Sequence, residues 1–466
     1  MKKIIKRTLI VLLIFLLYVI IGMLVPFVHM KSVSPQHKAK IHTEEFYSKT
    51  AENGSDRAKI VEDNKEALDL RLDMMRKAKK EIIFSTFDIR EGNSTEDIFA
   101  VITDAARRGV KVRILVDGLY GTLHMSGKDM FHAVGSEPNV EIRFYNTPNL
   151  LKPWTVNGCL HDKYIVVDNQ YLLMGGRNTF DYFLGKYPGK SVGLDREILI
   201  VNKGEEKDSA VGQVKTYFEK VWKLDVCKVK FDGWSDKRRA GEIKRLLAHE
   251  KKLKVPSVNY EHITVPTRKT TLVTNPTHIY GKEPIVWETL KELMLDADQR
   301  VLIHTPYAVF SEEMYHGMKE IKKKVPDTQM ILNSIASGDN ICASADYKRN
   351  RKNILDTGVS MFEYMGKYST HGKSLVIDDD IAIVGSYNFD CRSTYVDTET
   401  MLVVQGREIT AQLEEKLTDL KDGALEVKAD GTYKSHSKVK ERTISSGKKW
   451  KIDFLSFVIP AFRYLV

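Results

Sequence analysis

The sequence predicts an α/β protein of two pseudo-symmetric α-β-α halves packed together, with one N-terminal transmembrane helix. Three observations carry this. The stretch at 160–178, LHDKYIVVDNQYLLMGGRN, returns at 370–388 as THGKSLVIDDDIAIVGSYN. Helix and strand patterns alternate ahead of each copy, as in a sheet with parallel crossovers. Residues 8–28 contain no charged side chain and follow Lys2, Lys3, Lys6 and Arg7.

The N-terminal run is TLIVLLIFLLYVIIGMLVPFV, close to the roughly 20 apolar residues that cross a bilayer. It is longer than a signal-peptide core and lacks an A-x-A cleavage site, so it reads as an uncleaved anchor. The basic flank predicts a cytoplasmic N-terminus and an exported catalytic region, although Lys31, Lys38 and Lys40 lie on the far side. The anchor is placed at 1–30. Residues 31–56 read as a polar juxtamembrane linker.

Globular structure is expected over 57–224 and again over 270–428. In the first half, 67–78 has helical spacing, 81–88 reads as a strand, 97–108 as a helix stopped by Gly109, and 111–117 as a strand. In the second, helices are expected at 286–296 and 311–324, and strands at 300–304 and 329–333. Between the halves, 225–269 is a basic connector, helical over 241–253. The tail, 429–466, is basic and ends in FLSFVIPAFRYLV, too short to span. That end either lies in the membrane interface or packs on the core, and the anchor at the other end favours the interface.

The repeat concentrates reactive residue types. Aligned without a gap, it pairs His161 with His371, Lys163 with Lys373, Asp168 with Asp378, Gly175 with Gly385 and Asn178 with Asn388. YIVV and SLVI read as buried strands, and side chains two apart on a strand share a face. H-x-K therefore projects an imidazole and an ammonium together. The small residues at 175–176 and 385–386 allow a tight turn, and an Asn amide follows. Two facing copies would surround a small anion with two His, two Lys and two Asn. Lysine argues against a metal centre, because an ammonium beside the imidazole repels a cation.

Composition limits the partners. Of 466 residues, 42% are hydrophobic and 29% charged, which excludes a disordered chain. The net charge of +10 suits anionic partners, nucleic acid or anionic lipid alike. Cys159, Cys227, Cys342 and Cys391 form no metal spacing and read as structural, with a pairing among them left open.

The doubled motif resembles the phospholipase D superfamily. Over 57–406 the wording is most similar to bacterial cardiolipin synthases of the C-type branch. The resembling stretches are AARRGVKVRILVD, GGRNTFDYF, NSIASGDN, ADYKRNRKNILDTGVSMFEY and GSYNFDCRS. The resemblance implies phospholipase D-like halves and a phosphatidyltransferase working without metal or cofactor. It implies His161 as nucleophile and His371 as acid and base, with Lys163, Lys373, Asn178 and Asn388 holding the phosphate. Asp168 and Asp378 belong to the catalytic motif, with a part in fixing its loops. The family's histidine-orienting acid is carried to Glu399 and, in the first half, to Glu197, with Asp195 as competitor. The implied partners are the bilayer and its phospholipids, phosphatidylglycerol and also phosphatidylethanolamine, at a bacterial cell membrane. A hydrolase using water and a nuclease are the competing readings, and the anchor disfavours nucleic acid.

Overall fold

A computed structural model describes residues 1–187, 191–205, 207, 209–231 and 236–466. Parts of the insertion at 186–193 and of the connector at 225–269 therefore lie outside the described residues.

The strands of the first half are β1 (Asp56–Val61), β2 (Glu81–Thr86), β3 (Lys111–Asp117), β4 (Val140–Tyr145), β5 (Tyr164–Val167), β6 (Tyr171–Gly175), β7 (Glu197–Asn202), β8 (Cys227–Lys230) and β9 (Val265–Pro266). They form one sheet in the order β8-β4-β3-β2-β5-β6-β7-β1-β9. β2, β3 and β4 run parallel, joined by the helices Asn93–Arg107 and Asp129–Gly135, and β5, β6 and β7 pair antiparallel.

The second half adds β10 (Lys269–Thr274), β11 (Arg300–His304), β12 (Ala308–Val309), β13 (Asp327–Asn333), β14 (Ser360–Tyr364), β15 (Ser374–Ile377), β16 (Ile381–Gly385), β17 (Phe389–Asp390), β18 (Thr400–Gln405) and β19 (Ala424–Glu426). Its sheet order, β10-β18-β16-β15-β11-β13-β14-β19, mirrors the first from β1 to β8. β12 and β17 pair separately.

Each sheet buries an outer core against its own helices and an inner core shared by both halves. The helices Asn64–Lys77 and Asn93–Arg107 cover the first sheet, and Ile285–Leu295 and Glu312–Lys324 the second. The inner core joins Val166, Leu172 and Ile200 to Val376, Ala382 and Leu402, with the helices Ala210–Trp222 and Arg407–Asp422 packed beside them. The central strands are apolar on both faces because both are covered.

β1 corrects the sequence reading, which placed 31–56 in a linker and gave no strand after it. DRAKIV carries Arg57 and Lys59 on one face while Ala58, Ile60 and Val61 are buried, and the strand pairs with β7 from Asp56 to Val61. Three charged residues in a run of six masked the alternation. The strands β4, β8 and β19 were likewise not read.

The N-terminal helix, Lys2–Leu24, is exposed along its length and is long and apolar enough to cross a membrane. Its far end touches the body: Tyr18 Oη donates to the Leu151 carbonyl at 2.9 Å, and Asn157 Nδ2 to that of Met23 at 2.7 Å. The tail packs in part on the body. The helix Ser446–Val458 rests on Ile341–Leu355 through Ile452, while Trp450, Phe454 and Phe457 face solvent. All four cysteines are free thiols.

Candidate active site

His161 and His371 precede β5 and β15, the central strands on which the two sheets meet. Both sheets deliver them by the same device. β5 turns into β6, and β15 into β16, through Asp168 and Asp378, each in the left-handed region at φ 53° and 50°. The Asp168 carboxylate accepts the backbone N–H groups of Lys79, Lys80 and Glu81 at 2.8–3.0 Å; Asp378 accepts those of Asp298, Gln299 and Arg300 at 2.8–2.9 Å. These two aspartates tie the far ends of the hairpins and take no part in the cleft. Their grouping with the catalytic residues is corrected accordingly, and their part in fixing the loops stands. Next, Gly175 and Gly385 sit where a Cβ would collide with the carbonyls of Arg196 and Thr400, so the returning strand passes close.

His161, His371, Asn178 and Asn388 line one cleft of about 460 Å³. Lys163 and Lys373 stand directly behind. Lys163 Nζ donates to the His161 carbonyl at 2.5 Å, and Lys373 Nζ lies 3.1 Å from His371 Nε2. Phe87 meets the His161 ring edge-on at 4.9 Å, and Phe183 lies 5.1 Å from the His371 ring. Asn178 and Asn388 are buried, yet the Oδ1 of each lacks a partner among the described residues. Native proteins satisfy most such atoms; an amide oxygen only accepts, so an anion in the cleft would be met by the Nδ2 groups of these residues instead.

The carboxylates cross between halves. Glu399 Oε1 lies 2.8 Å from His161 Nδ1, and Asp195 Oδ2 lies 2.7 Å from His371 Nδ1. Backbone contacts hold the exchange in place: Thr398 Oγ1 accepts the His161 N–H at 3.0 Å, and the Leu194 carbonyl accepts that of His371 at 2.6 Å.

Glu197 is the second correction. Its carboxylate is clamped by both Arg71 guanidinium nitrogens, with Arg177 3.7 Å away, and all three residues are buried. The register explains the error. Gly175 pairs with Glu197, but Gly385 pairs with Met401, so the structural counterpart of Glu399 is Asp195. A slip of two residues keeps a side chain on the same face of a strand, which is why Glu197 fitted the sequence pattern.

Burial dominates the electrostatics. It pushes both imidazoles below their ordinary values, helped by the lysines; His161 also feels Lys373 and His371 across the halves. Burial brings Lys163 down to about 7 and Lys373 to about 8. Glu399 is raised to about 7 by burial. For Asp195, burial is outweighed by Lys373 and His371, which hold it well below the carboxylate range. Basic groups are thus crowded together with their charge weakened, and an arriving anion would favour their protonated forms. Each carboxylate on Nδ1 leaves Nε2 as the reacting nitrogen. No grouping of His, Cys, Asp and Glu among the described residues suits a metal.

Comparison with known proteins gives the family and the fold. The family model described as "Cardiolipin synthase, PLD-like domain" matches residues 72–222 and 290–421, more than half of the chain. Cardiolipin synthase C of Escherichia coli (strain K12) is 26% identical over 364 residues, 68% of this chain and 75% of that protein. An uncharacterized protein of Helicobacter pylori (strain ATCC 700392 / 26695) is 24% identical over 80% of this chain and 81% of its own length. Among solved structures, phosphatidylserine synthase of Haemophilus influenzae Rd KW20 superposes with a TM-score of 0.63 at 14% identity, over 90% of this chain and 96% of that one. That likeness is one of fold.

Proposed function

The chain belongs to the cardiolipin synthase, PLD-like domain family, and from that premise we propose that it is a membrane-anchored phosphatidyltransferase. In this reading it moves a phosphatidyl group between glycerophospholipids through a phosphohistidine. The observation that carries it is the pair of imidazoles on one cleft, each backed by a carboxylate from the other half.

His161 Nε2 attacks phosphorus, forming a P–N bond as the P–O bond to the leaving alcohol breaks. His371, entering protonated, gives its Nε2 proton to that oxygen. The neutral His371 then takes a proton from the incoming alcohol, whose oxygen displaces His161 and restores the starting state. Lys163, Lys373, Asn178 and Asn388 hold the non-bridging oxygens as charge builds on them. Glu399 and Asp195 stabilise the imidazolium that each step creates. The basic N-terminal flank supports a cytoplasmic N-terminus and an exported body.

The test uses the purified full chain in liposomes with labelled phosphatidylglycerol, alone and with phosphatidylethanolamine. Cardiolipin should form with wild type and not with His161→Ala or His371→Ala. Phosphatidic acid as sole product would replace transfer by hydrolysis. Cleavage of added DNA without lipid turnover would overturn the lipid reading.

A further inference from the structure

The cleft that holds the histidines is not polar throughout. One side is closed by Met23, from the last turn of the N-terminal helix, and by Phe462, Leu465 and Val466. Phosphodiester exchange itself requires none of these side chains. They are also firmly placed. Arg463 Nε donates to Asp346 at 2.7 Å, Ile459 is buried against Ala345, and Tyr464 packs beside Phe27 and Tyr395. Segment 459–466 is therefore anchored through Ile459, Arg463 and Tyr464, while Phe462, Leu465 and Val466 line the cleft. On the other side, the loop carrying Leu150, Leu151 and Trp154 leaves these side chains exposed beside the helix that Tyr18 ties to it. The apolar wall thus continues into the end of a helix long enough to span a bilayer.

We infer that Met23, Phe462, Leu465 and Val466 form the subsite for the glycerol-proximal acyl chains of the phospholipid, which enters sideways from the bilayer. This rests on the phosphatidyltransferase reading and adds its specificity determinant. The wall removes acyl surface from water as the phosphate reaches the imidazoles, so long-chain lipid is favoured over a soluble diester with the same headgroup. It also dries the cleft, favouring an alcohol over water as acceptor.

The test compares kcat/KM for dioleoyl phosphatidylglycerol in vesicles with that for monomeric dibutanoyl phosphatidylglycerol. Wild type, the double variant Phe462→Ala/Leu465→Ser and, from the helix that completes the same wall, Met23→Ser are measured alike. The ratio of the two rates does not depend on how much of a variant is folded. In both variants the long-to-short ratio should fall roughly tenfold or more, with a larger share of phosphatidic acid among the products. An unchanged ratio, whether the rates hold or fall together, would make the wall a mere brace and overturn the inference. Wild type that turns over neither lipid would instead overturn the transferase reading and the inference with it. Turnover of both lipids by wild type with an unmoved ratio in the variants would leave the transferase standing and remove only the subsite.

Discussion

Glu399 Oε1 lies 2.8 Å from His161 Nδ1, although the two residues belong to different halves of the chain. Asp195 returns the favour to His371 at 2.7 Å. Each sheet thus presents a histidine whose tautomer is set by the other sheet, and neither half holds a complete acid–base unit. The same two halves also share a large core between their sheets.

The first prediction separates Asp195 from Glu197. Asp195→Asn keeps the size of the side chain but loses the charge facing His371. A carboxylate in this role is worth about 10⁴-fold in kcat where it has been isolated, so a loss of about 10³–10⁴ is expected with little change in melting temperature. Glu197→Ala should do the reverse. It strands the buried Arg71 and costs about 3–5 kcal/mol of stability, while the folded fraction keeps its turnover within a few-fold. Rates normalised to folded protein, with melting curves alongside, decide it; a collapse of normalised kcat in Glu197→Ala would return the orienting role to that residue.

The contrast between these two acids shows how far the sequence could be read. The motif residues were legible because their spacing is equal in both copies and because alternation fixes which side chains share a face. Asp195 was legible only as a competitor to Glu197, because the link from Gly176 to the next strand is longer than its counterpart after Ser386. Counting along the chain therefore loses the register that only strand pairing restores. β1 was hidden for a related reason: one face carries Arg57 and Lys59, and the other only two apolar residues, Ala58 and Ile60, beside Asp56. Phe87, Phe183 and the wall residues gave no signal of a place at the site, although Phe183 lies in the GGRNTFDYF stretch and the wall in the apolar anchor and tail. They are ordinary apolar side chains until the fold sets them around two imidazoles.

Asp168 and Asp378 should behave as hairpin ties. Asp168→Ala removes the acceptor for three backbone N–H groups at a left-handed residue, at about 2–3 kcal/mol. Asp168→Asn, which tolerates that backbone and still accepts hydrogen bonds, should cost less than half of this. Chemical denaturation of both variants checks the order. Normalised kcat should stay near wild type in each, and a loss of 10²-fold or more would place the aspartate in the chemistry after all.

The two histidines should separate on a substrate whose leaving group needs no proton. With a p-nitrophenyl phosphatidyl ester, His371→Ala should still release one equivalent of p-nitrophenol in a burst and then stall, its phosphohistidine waiting for a base. His161→Ala should give no burst. On phosphatidylglycerol, by contrast, both variants lose turnover, His371→Ala by the roughly 10²–10⁴ that general acid catalysis supplies. Label retained after alkaline quench, mapped to the peptide holding His161, identifies the nucleophile. Label on the His371 peptide in wild type would exchange the two roles.

Glu399 gives the resting enzyme a pH signature. Burial raises its carboxyl from 4.5 to about 7 in the fold, against the ammonium of Lys163 and the hydroxyls of Ser386 and Ser393. Below pH 4.5 both folded and unfolded chains hold this proton, and the group's contribution is fully present. Between 4.5 and 7 the unfolded chain gives the proton up while the fold retains it, so that contribution is lost as pH rises, by on the order of 3 kcal/mol at most. His161, facing it, works in the opposite sense: its depressed value means stability lost as pH falls. In Glu399→Gln the first contribution is gone and the second remains. Melting temperatures of the detergent-solubilised chain, taken from pH 5 to pH 8, should therefore show wild type losing ground to the variant up to about pH 7 and running parallel to it above. Parallel curves over the whole range would mean that Glu399 is already ionised in the resting cleft, with His161 charged opposite it. The first step would then need His161 to lose a proton before it could attack.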